Sequence, residues 1–336
     1  LYFSTTLKFK QVIGLESLKA QLVQTVKEGH VSHALMFLGP QGGGNMPLAL
    51  AFASYILCEK PNETDRCGVC AACKQLDQLS HPDLHFSFPF VKSDKVKTTQ
   101  SHQRTFVKAL LRNPYMGLSA WEQELAGDNK KSIITADEAH NIIKALSLKA
   151  FAKGHKIMLI WMAEKLNQQA ANRLLKTLEE PTERTITLLV CSSADDILPT
   201  IRSRVQMVHC GPLSQGEIAQ ALCERDGLSW PEAEALAARA EGSYEGARLL
   251  VQEQEVMAAQ LSLFSQWMRH TYKLNFGEVF KLCDAFAKMS RDNQQYFLEY
   301  AMDFVHKCIL QEYTGADNAT FDPQAAAFAS KFAPYI

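Results

Sequence analysis

Residues 33–47 read His33-Ala34-Leu35-Met36-Phe37-Leu38-Gly39-Pro40-Gln41-Gly42-Gly43-Gly44-Asn45-Met46-Pro47. A short apolar run that ends in Gly and Pro predicts a buried strand over 33–40. A glycine-rich turn follows over 39–44, and then an apolar helix over 47–58. Pro47 suits a first helical turn, where its missing N–H leaves nothing unsatisfied. Strand, glycine loop and helix, in that order, open a nucleotide-binding α/β unit.

Outward from this unit, Val12, Ile13, Leu18, Leu22, Val23 and Val26 recur at helical spacing over 8–30. Downstream, helices are predicted over 103–112, 135–149 and 167–179. The second carries Thr135 with Glu138 three residues on, a capping signal; the third stops at Glu180-Pro181. Strands are predicted over 156–162, 185–191 and 205–209, with a short helix over 197–204. Near-continuous apolar strands in a βαβαβ order argue for a parallel sheet covered on both faces. Residues 80–131 are polar and rich in aromatics with little periodicity, so an irregular insert holding one helix is expected there. From Leu213 onward no strand is predicted. Three short helices over 214–252, broken at Gly227 and Gly242, precede longer aromatic-rich helices. The expected domains are 1–211 (α/β), 212–254 (a small helical lid) and 255–336 (an all-α domain). The apolar ending Phe332-Ala333-Pro334-Tyr335-Ile336 is compatible with a C-terminal truncation.

Composition narrows the function classes. A chain of 336 residues holds about two domains, or three small ones. Lys plus Arg is 35 against 36 Asp plus Glu, so overall charge does not hold this chain on DNA or on a membrane surface. With 47% hydrophobic and 21% charged residues the chain reads as globular and not disordered. The longest apolar run, 48–58, is far short of the ~18–20 residues of a membrane span. The N-terminus has no charged lead before an apolar core, so no signal peptide is read and the expected compartment is the cytoplasm. Nine Cys in a reducing compartment do not make a disulfide framework.

Four of those cysteines cluster as Cys58-x8-Cys67-x2-Cys70-x2-Cys73. Tetrahedral Zn²⁺ takes four such thiolates, and the two-residue gaps let neighbours bite one ion. The site would be closed and structural, stapling a loop too small to have its own core. Free or oxidised thiols and an iron–sulfur cluster are the alternatives.

A working phosphate loop reads Gly-x4-Gly-Lys-Ser/Thr, its Lys reaching the β/γ phosphates and its hydroxyl holding Mg²⁺. Here Gly39, Gly42, Gly43 and Gly44 keep the frame, but Asn45 and Met46 stand where the cation and the hydroxyl belong. The acids expected at the end of the next core strand are replaced by Trp161 and Met162. Glu164 lies past the strand and is expected to point elsewhere. Losing the cation and the Mg²⁺ ligands together should abolish phosphoryl transfer, so no bound ATP is expected.

His33-Ala34-Leu35 before the loop, the Cys cluster after it, Asn172-Arg173-Leu174-Leu175-Lys176-Thr177-Leu178-Glu179-Glu180-Pro181, and Ile201-Arg202-Ser203-Arg204 come in that order. The chain thereby resembles the bacterial DNA polymerase III clamp loader, a branch of the AAA+ family. The run LLKTLEEP is highly specific to it. The resemblance covers about residues 8–210 well and the helical remainder in outline. It implies an AAA+ (P-loop NTPase-like) α/β module with a zinc-binding insert, a helical lid, and an all-α collar that holds a ring together. The collar aromatics Phe264, Trp267, Tyr272, Phe276, Phe280 and Phe286 are expected to form that domain's own core.

Among clamp-loader subunits the gamma/tau members are ATPases, whereas delta-prime has degraded nucleotide motifs. Asn45, Met46, Trp161 and Met162 resemble the delta-prime pattern. Gly242-Ser243-Tyr244-Glu245 puts Glu where the family's lid arginine would be. The resemblance implies that Ser203-Arg204 keeps an arginine finger for a neighbour's ATP site, with Val205 in place of Cys as a packing change. A guanidinium suits that task, being planar and always charged. The implied function is a non-ATPase subunit of the replicative holoenzyme. It would work in the cytoplasm, at the nucleoid-associated replisome, with gamma/tau, delta, the sliding clamp and primed DNA. Two other readings stay open: an active gamma/tau-type ATPase, and a zinc-bearing nucleic-acid-binding module. The latter rests on the basic run between Lys92 and Arg112, in which Asp94 is the lone acid, preceded by Phe88 and Phe90.

Overall fold

In the computed structural model, residues 8–94, 96–125, 131–151, 154–314, 321 and 323–333 are described. Lys95 of the basic run, residues 126–130 of the insert and the last three residues of the apolar ending lie outside that set. The chain divides into two compact units, Leu1–Arg248 and Leu249–Ile336.

The first unit begins with α1 (Glu16–Lys27), β1 (Ala34–Leu38), α2 (Asn45–Leu57), α3 (Ala71–Leu76), β2 (Leu84–Ser87), α4 (Gln103–Arg112) and α5 (Leu118–Glu124). It continues with α6 (Ala136–Ser147), β3 (Lys156–Trp161), α7 (Gln168–Glu179), β4 (Thr185–Cys191), α8 (Pro199–Arg202) and β5 (Gln206–His209). The five strands form one parallel sheet in the order β2-β3-β4-β1-β5. Every residue of β3 and β4 is buried, as a sheet covered on both faces requires. Alternation sorts the side chains between two layers. Leu35 and Phe37 of β1 join Phe52 of α2, Phe106 of α4 and Trp121 of α5 on one side. Ala34 and Met36 join Ile142 of α6, Leu174 of α7 and Ile201 of α8 on the other. Thr135 caps α6 through the Glu138 N–H, and Asn167 caps α7 through the Ala170 N–H.

The stretch 80–131, expected to be irregular with one helix, supplies the edge strand β2 and two helices. Leu-His-Phe-Ser is too short for its period to stand out, and Pro89 closes it. Its aromatics are nonetheless central to the core. Phe106 stacks on Phe88 at 3.9 Å and meets Trp121 edge-on at 5.2 Å and Trp161 at 5.5 Å. The Trp121 indole N–H donates to the Pro89 carbonyl at 2.7 Å. An antiparallel bridge between Phe90 and Ile133 closes the insert.

Past β5 the described residues hold only helices: α9 (Gln215–Ala221) with a π-helical turn, α10 (Trp230–Arg239), α11 (Tyr244–Tyr272), α12 (Phe276–Ala287), α13 (Arg291–Thr314) and α14 (Pro323–Phe332). The third helix predicted over 214–252 does not stop there but runs on, as α11, to Tyr272. In the second unit Phe264, Phe297, Phe304 and Cys308 form a core with Ala325 and Ala329, and Trp267 and Phe286 pack on it. Tyr272, Phe276 and Phe280, expected inside, are exposed instead. No residue of α12 is buried: Phe286 packs on the core from one side, while Phe276 and Phe280 have no cover among the described residues. Among the described residues no helix is long and apolar enough to cross a membrane.

Two predictions test this packing. Phe106→Ala empties the centre of the aromatic cluster and should cost about 3–5 kcal/mol in denaturant unfolding; a loss below about 1 kcal/mol would show that the insert is anchored elsewhere. Glu138 is buried and accepts from the Thr99 N–H at 3.0 Å and the Thr99 hydroxyl at 2.7 Å, and burial raises its pKa above the ordinary 4.5. A carboxyl raised in the folded state stabilises most while protonated, and that contribution is lost as pH climbs through the raised value. Thermal midpoints measured across pH should therefore shift in favour of Glu138→Gln over wild type as pH rises above 4.5. Parallel curves would refute the assignment.

Candidate metal centre and phosphate loop

Cys58 is the C-cap of α2, Cys70 is the N-cap of α3, Cys73 lies within α3, and Cys67 lies in the turn before it. The structure brings all four sulfurs to within 4.8 Å of one another. Sγ–Sγ distances are 3.5 Å for Cys58–Cys73, 3.6 Å for Cys58–Cys67, 3.8 Å for Cys67–Cys73 and 4.0 Å for Cys58–Cys70. A tetrahedron with Zn–S bonds of ≈ 2.3 Å has edges of ~3.8 Å, so the donor set fits that ion. Backbone N–H groups of Val69 and Cys70 point at the Cys67 sulfur and hold its pKa at about 6, while burial pushes Cys58 and Cys73 up. A cation at the centre would favour all four thiolates together. Arg66, which the sequence reading passed over, lies fully buried beneath this turn. It donates to the Cys73 carbonyl at 3.0 Å and pairs with Asp77. Its place beside Cys67 was its only sequence signal.

The glycine loop leaves the carboxyl end of β1. Gly42 (φ +72°) and Gly44 (φ +103°) take left-handed conformations that a side chain would strain. Asn45 and Met46 are buried. The Asn45 side-chain amide donates to the Gly39 carbonyl at 3.0 Å and the Cys191 carbonyl at 3.1 Å, and its oxygen accepts the Met46 N–H at 2.9 Å. The neutral Asn45 amide is thus tied into the backbone at the ends of β1 and β4.

The start of α11 and the residue before it lie directly on the loop. The Tyr244 N–H donates to the Gly42 carbonyl at 3.0 Å and the Ser243 hydroxyl to the Gln41 carbonyl at 2.8 Å. Glu245 is buried, and burial raises its pKa; it accepts from the Asn113 amide at 2.6 Å. The remaining cavity, lined by Gln41, Asn45, Tyr115, Met116, Trp161 and Ser192 among others, has room for about one water. Trp161 is buried at the end of β3, and Met162 follows at φ +55°. Glu164 turns to β4's end, where it accepts from the Ser192 N–H at 3.0 Å and the Ser192 hydroxyl at 2.6 Å.

Ser203 and Arg204 sit at the end of α8. The Arg204 guanidinium pairs with Glu179, the last residue of α7, and donates to the Thr200 carbonyl at 2.7 Å and the Ser203 hydroxyl at 3.2 Å. The fold thus makes Glu179, within the run LLKTLEEP, the partner of Arg204. Val205 packs against the core beside α8.

A family model with the description "DNA polymerase III, delta subunit" matches residues 14–214, more than half of the chain. The delta' subunit of DNA polymerase III from Pseudomonas aeruginosa is 30% identical over 53% of this chain and 43% of its own length. The Bacillus subtilis delta' subunit is 28% identical over 61% of this chain and 50% of its own length. A gamma/tau subunit from Mycobacterium tuberculosis is 24% identical over 66% of this chain and 32% of its own. The matches thus span half or less of those relatives. Among solved structures, a gamma-subunit-related protein from Thermotoga maritima has a TM-score of 0.39 at 15% identity, covering 94% of this chain and 90% of that one. By the reach of the family model, and with delta' subunits among its relatives, the chain belongs to the DNA polymerase III delta-subunit family, as a clamp-loader delta' member.

Proposed function

We propose that the chain is a clamp-loader subunit with no ATPase of its own, which helps place the sliding clamp on primed DNA within the polymerase III holoenzyme. The observation that carries this reading is the phosphate loop. Asn45 binds the loop's Gly39 carbonyl and the Cys191 carbonyl at the end of β4, the lid closes on Gly42, and the space left is that of about one water. Phosphoryl transfer needs a bound Mg²⁺-nucleotide and cationic groups at its phosphates, and no side chain at 45 or 46 supplies them.

In this reading residues 1–211 are the AAA+ module, 212–254 the lid and 255–336 the collar of a ring that includes gamma/tau and delta subunits, in the bacterial cytoplasm. Arg204, with Ser203 beside it, serves a neighbour's ATP site. Cys58, Cys67, Cys70 and Cys73 hold a structural Zn²⁺, which supplies a staple and no chemistry.

Three measurements bear on this. The purified chain should neither bind nor hydrolyse Mg²⁺-ATP; clear turnover would return it to the gamma/tau type. In the loader reconstituted with gamma/tau and delta, Arg204→Ala should cut turnover at the facing site by about 10³-fold, lowering total DNA-stimulated ATPase by that site's share and leaving this chain folded. Unchanged ATPase would sink the finger. Protein purified without chelator should carry about one equivalent of zinc, and Cys73→Ser should lose it; iron or no metal in the wild type would refute the assignment.

A further inference from the structure

The turn Asn113-Pro114-Tyr115-Met116 comes from the insert, yet it ends in the mouth of the phosphate loop. Tyr115 and Met116 are both buried and both line the residual cavity there. The Tyr115 hydroxyl accepts the Ile13 N–H at 2.7 Å. Its ring meets Tyr244 edge-on at 5.1 Å, and the Arg225 guanidinium lies 5.7 Å from the Tyr115 centroid and 5.5 Å from that of Tyr244. Arg225 also donates to the Gln11 carbonyl at 2.6 Å. One ring therefore touches the N-terminal segment, the loop cavity and two parts of the lid.

We propose that residues 113–118 act as an internal ligand: Tyr115 and Met116 occupy the phosphate-loop site and lock the lid segment onto the α/β module. This rests on the reading of the loop as degenerate. The contacts are those a planar aromatic ligand would make. A backbone N–H meets an acceptor on the ring edge, an aromatic ring packs against it, and a cation sits over its face. The flanks are fixed as well. The Asn113 side chain binds Glu245 of the lid and accepts the Tyr115 N–H at 3.0 Å, and the Leu118 N–H donates to the Gln41 side chain at 3.1 Å. In a subunit that uses a nucleotide, the ligand joins loop to lid and leaves with turnover. Here the joint is covalently part of the chain and stays.

Hydrogen–deuterium exchange on the full chain tests this, since local opening is read directly from amide protection. Tyr115→Ala should raise exchange at least tenfold for amides of 213–225 and 242–248, and added phenol, the ring removed, should restore protection. Tyr115→Phe, which keeps the ring, should leave the lid protected. Leu146→Ala, in the core on the opposite side of the sheet, is the control and should not loosen the lid selectively. If Tyr115→Ala does not fold, Asn113→Ala must show the same selective loosening. Lid exchange at the wild-type rate, or loosening no greater than in Leu146→Ala, overturns the proposal. Wild-type protein that binds no ATP together with an unloosened lid would overturn the internal ligand alone. Wild-type protein that binds Mg²⁺-ATP would overturn the non-ATPase reading.

Discussion

Strand β1 is hydrogen-bonded on both edges, to β4 and to β5, and this double pairing determines where the glycine loop and the strand ends around it stand. Parallel neighbours bring the carboxyl ends of β1, β3 and β4 to one edge of the sheet. The glycine loop leaves β1 there, Trp161 and Met162 end β3, and Cys191 and Ser192 end β4. The Asn45 amide bridges two of these ends by binding both Gly39 and Cys191 carbonyls. Gly39 and Cys191 are buried, and buried carbonyls must find donors. The side chain that follows the last glycine of the loop is therefore a structural tie between two strand ends.

What could be read beforehand follows from how strongly each element is marked. The strands at 156–162 and 185–191 are buried on both faces, so their sequences are near-continuous apolar runs, interrupted only by Lys156, Thr185 and Thr187. The helices at 103–112 and 167–179 carry one apolar stripe each, and their ends fall at Asn113 and Glu180. Edge strand β2 was missed because four residues hold too few alternations, and because Phe86, Phe88 and Phe90 read equally well as loop aromatics. The exposed face of α12 was misread for the opposite reason. Phe276 and Phe280 are apolar in pattern, and composition does not say whether a neighbour covers them.

The site was legible in its local parts and not in its long-range ones. Four cysteines within sixteen residues announce one another, and Asn45 with Met46 stands out against the loop pattern. Tyr115 is 102 residues from its hydrogen-bond partner Ile13, and Asn113 is 132 residues from Glu245. Each looks ordinary in its own window. A plug assembled from an insert, an N-terminal segment and a lid leaves no periodic or spacing signal, since it exists only once the sheet has placed all three.

Arg204 poses a different problem, because a guanidinium proposed for a neighbouring subunit is already paired within its own chain. Glu179 is 44% exposed and Arg204 32%, so the pair competes with water. Exposed ion pairs of this kind contribute roughly 0.2–1 kcal/mol. The pairing is thus strong enough to narrow the rotamers of a long side chain and too weak to hold it against a nucleotide's terminal phosphate, which carries more charge and accepts in a forked geometry. The Thr200 carbonyl, at 2.7 Å, can keep one N–H while the rest of the fork turns outward. Glu179 ends the helix that carries LLKTLEEP, so the most distinctive run of the sequence has a physical task beyond packing Leu174 and Leu178. In the proposed assembly it holds the arginine in place until a stronger anion takes it.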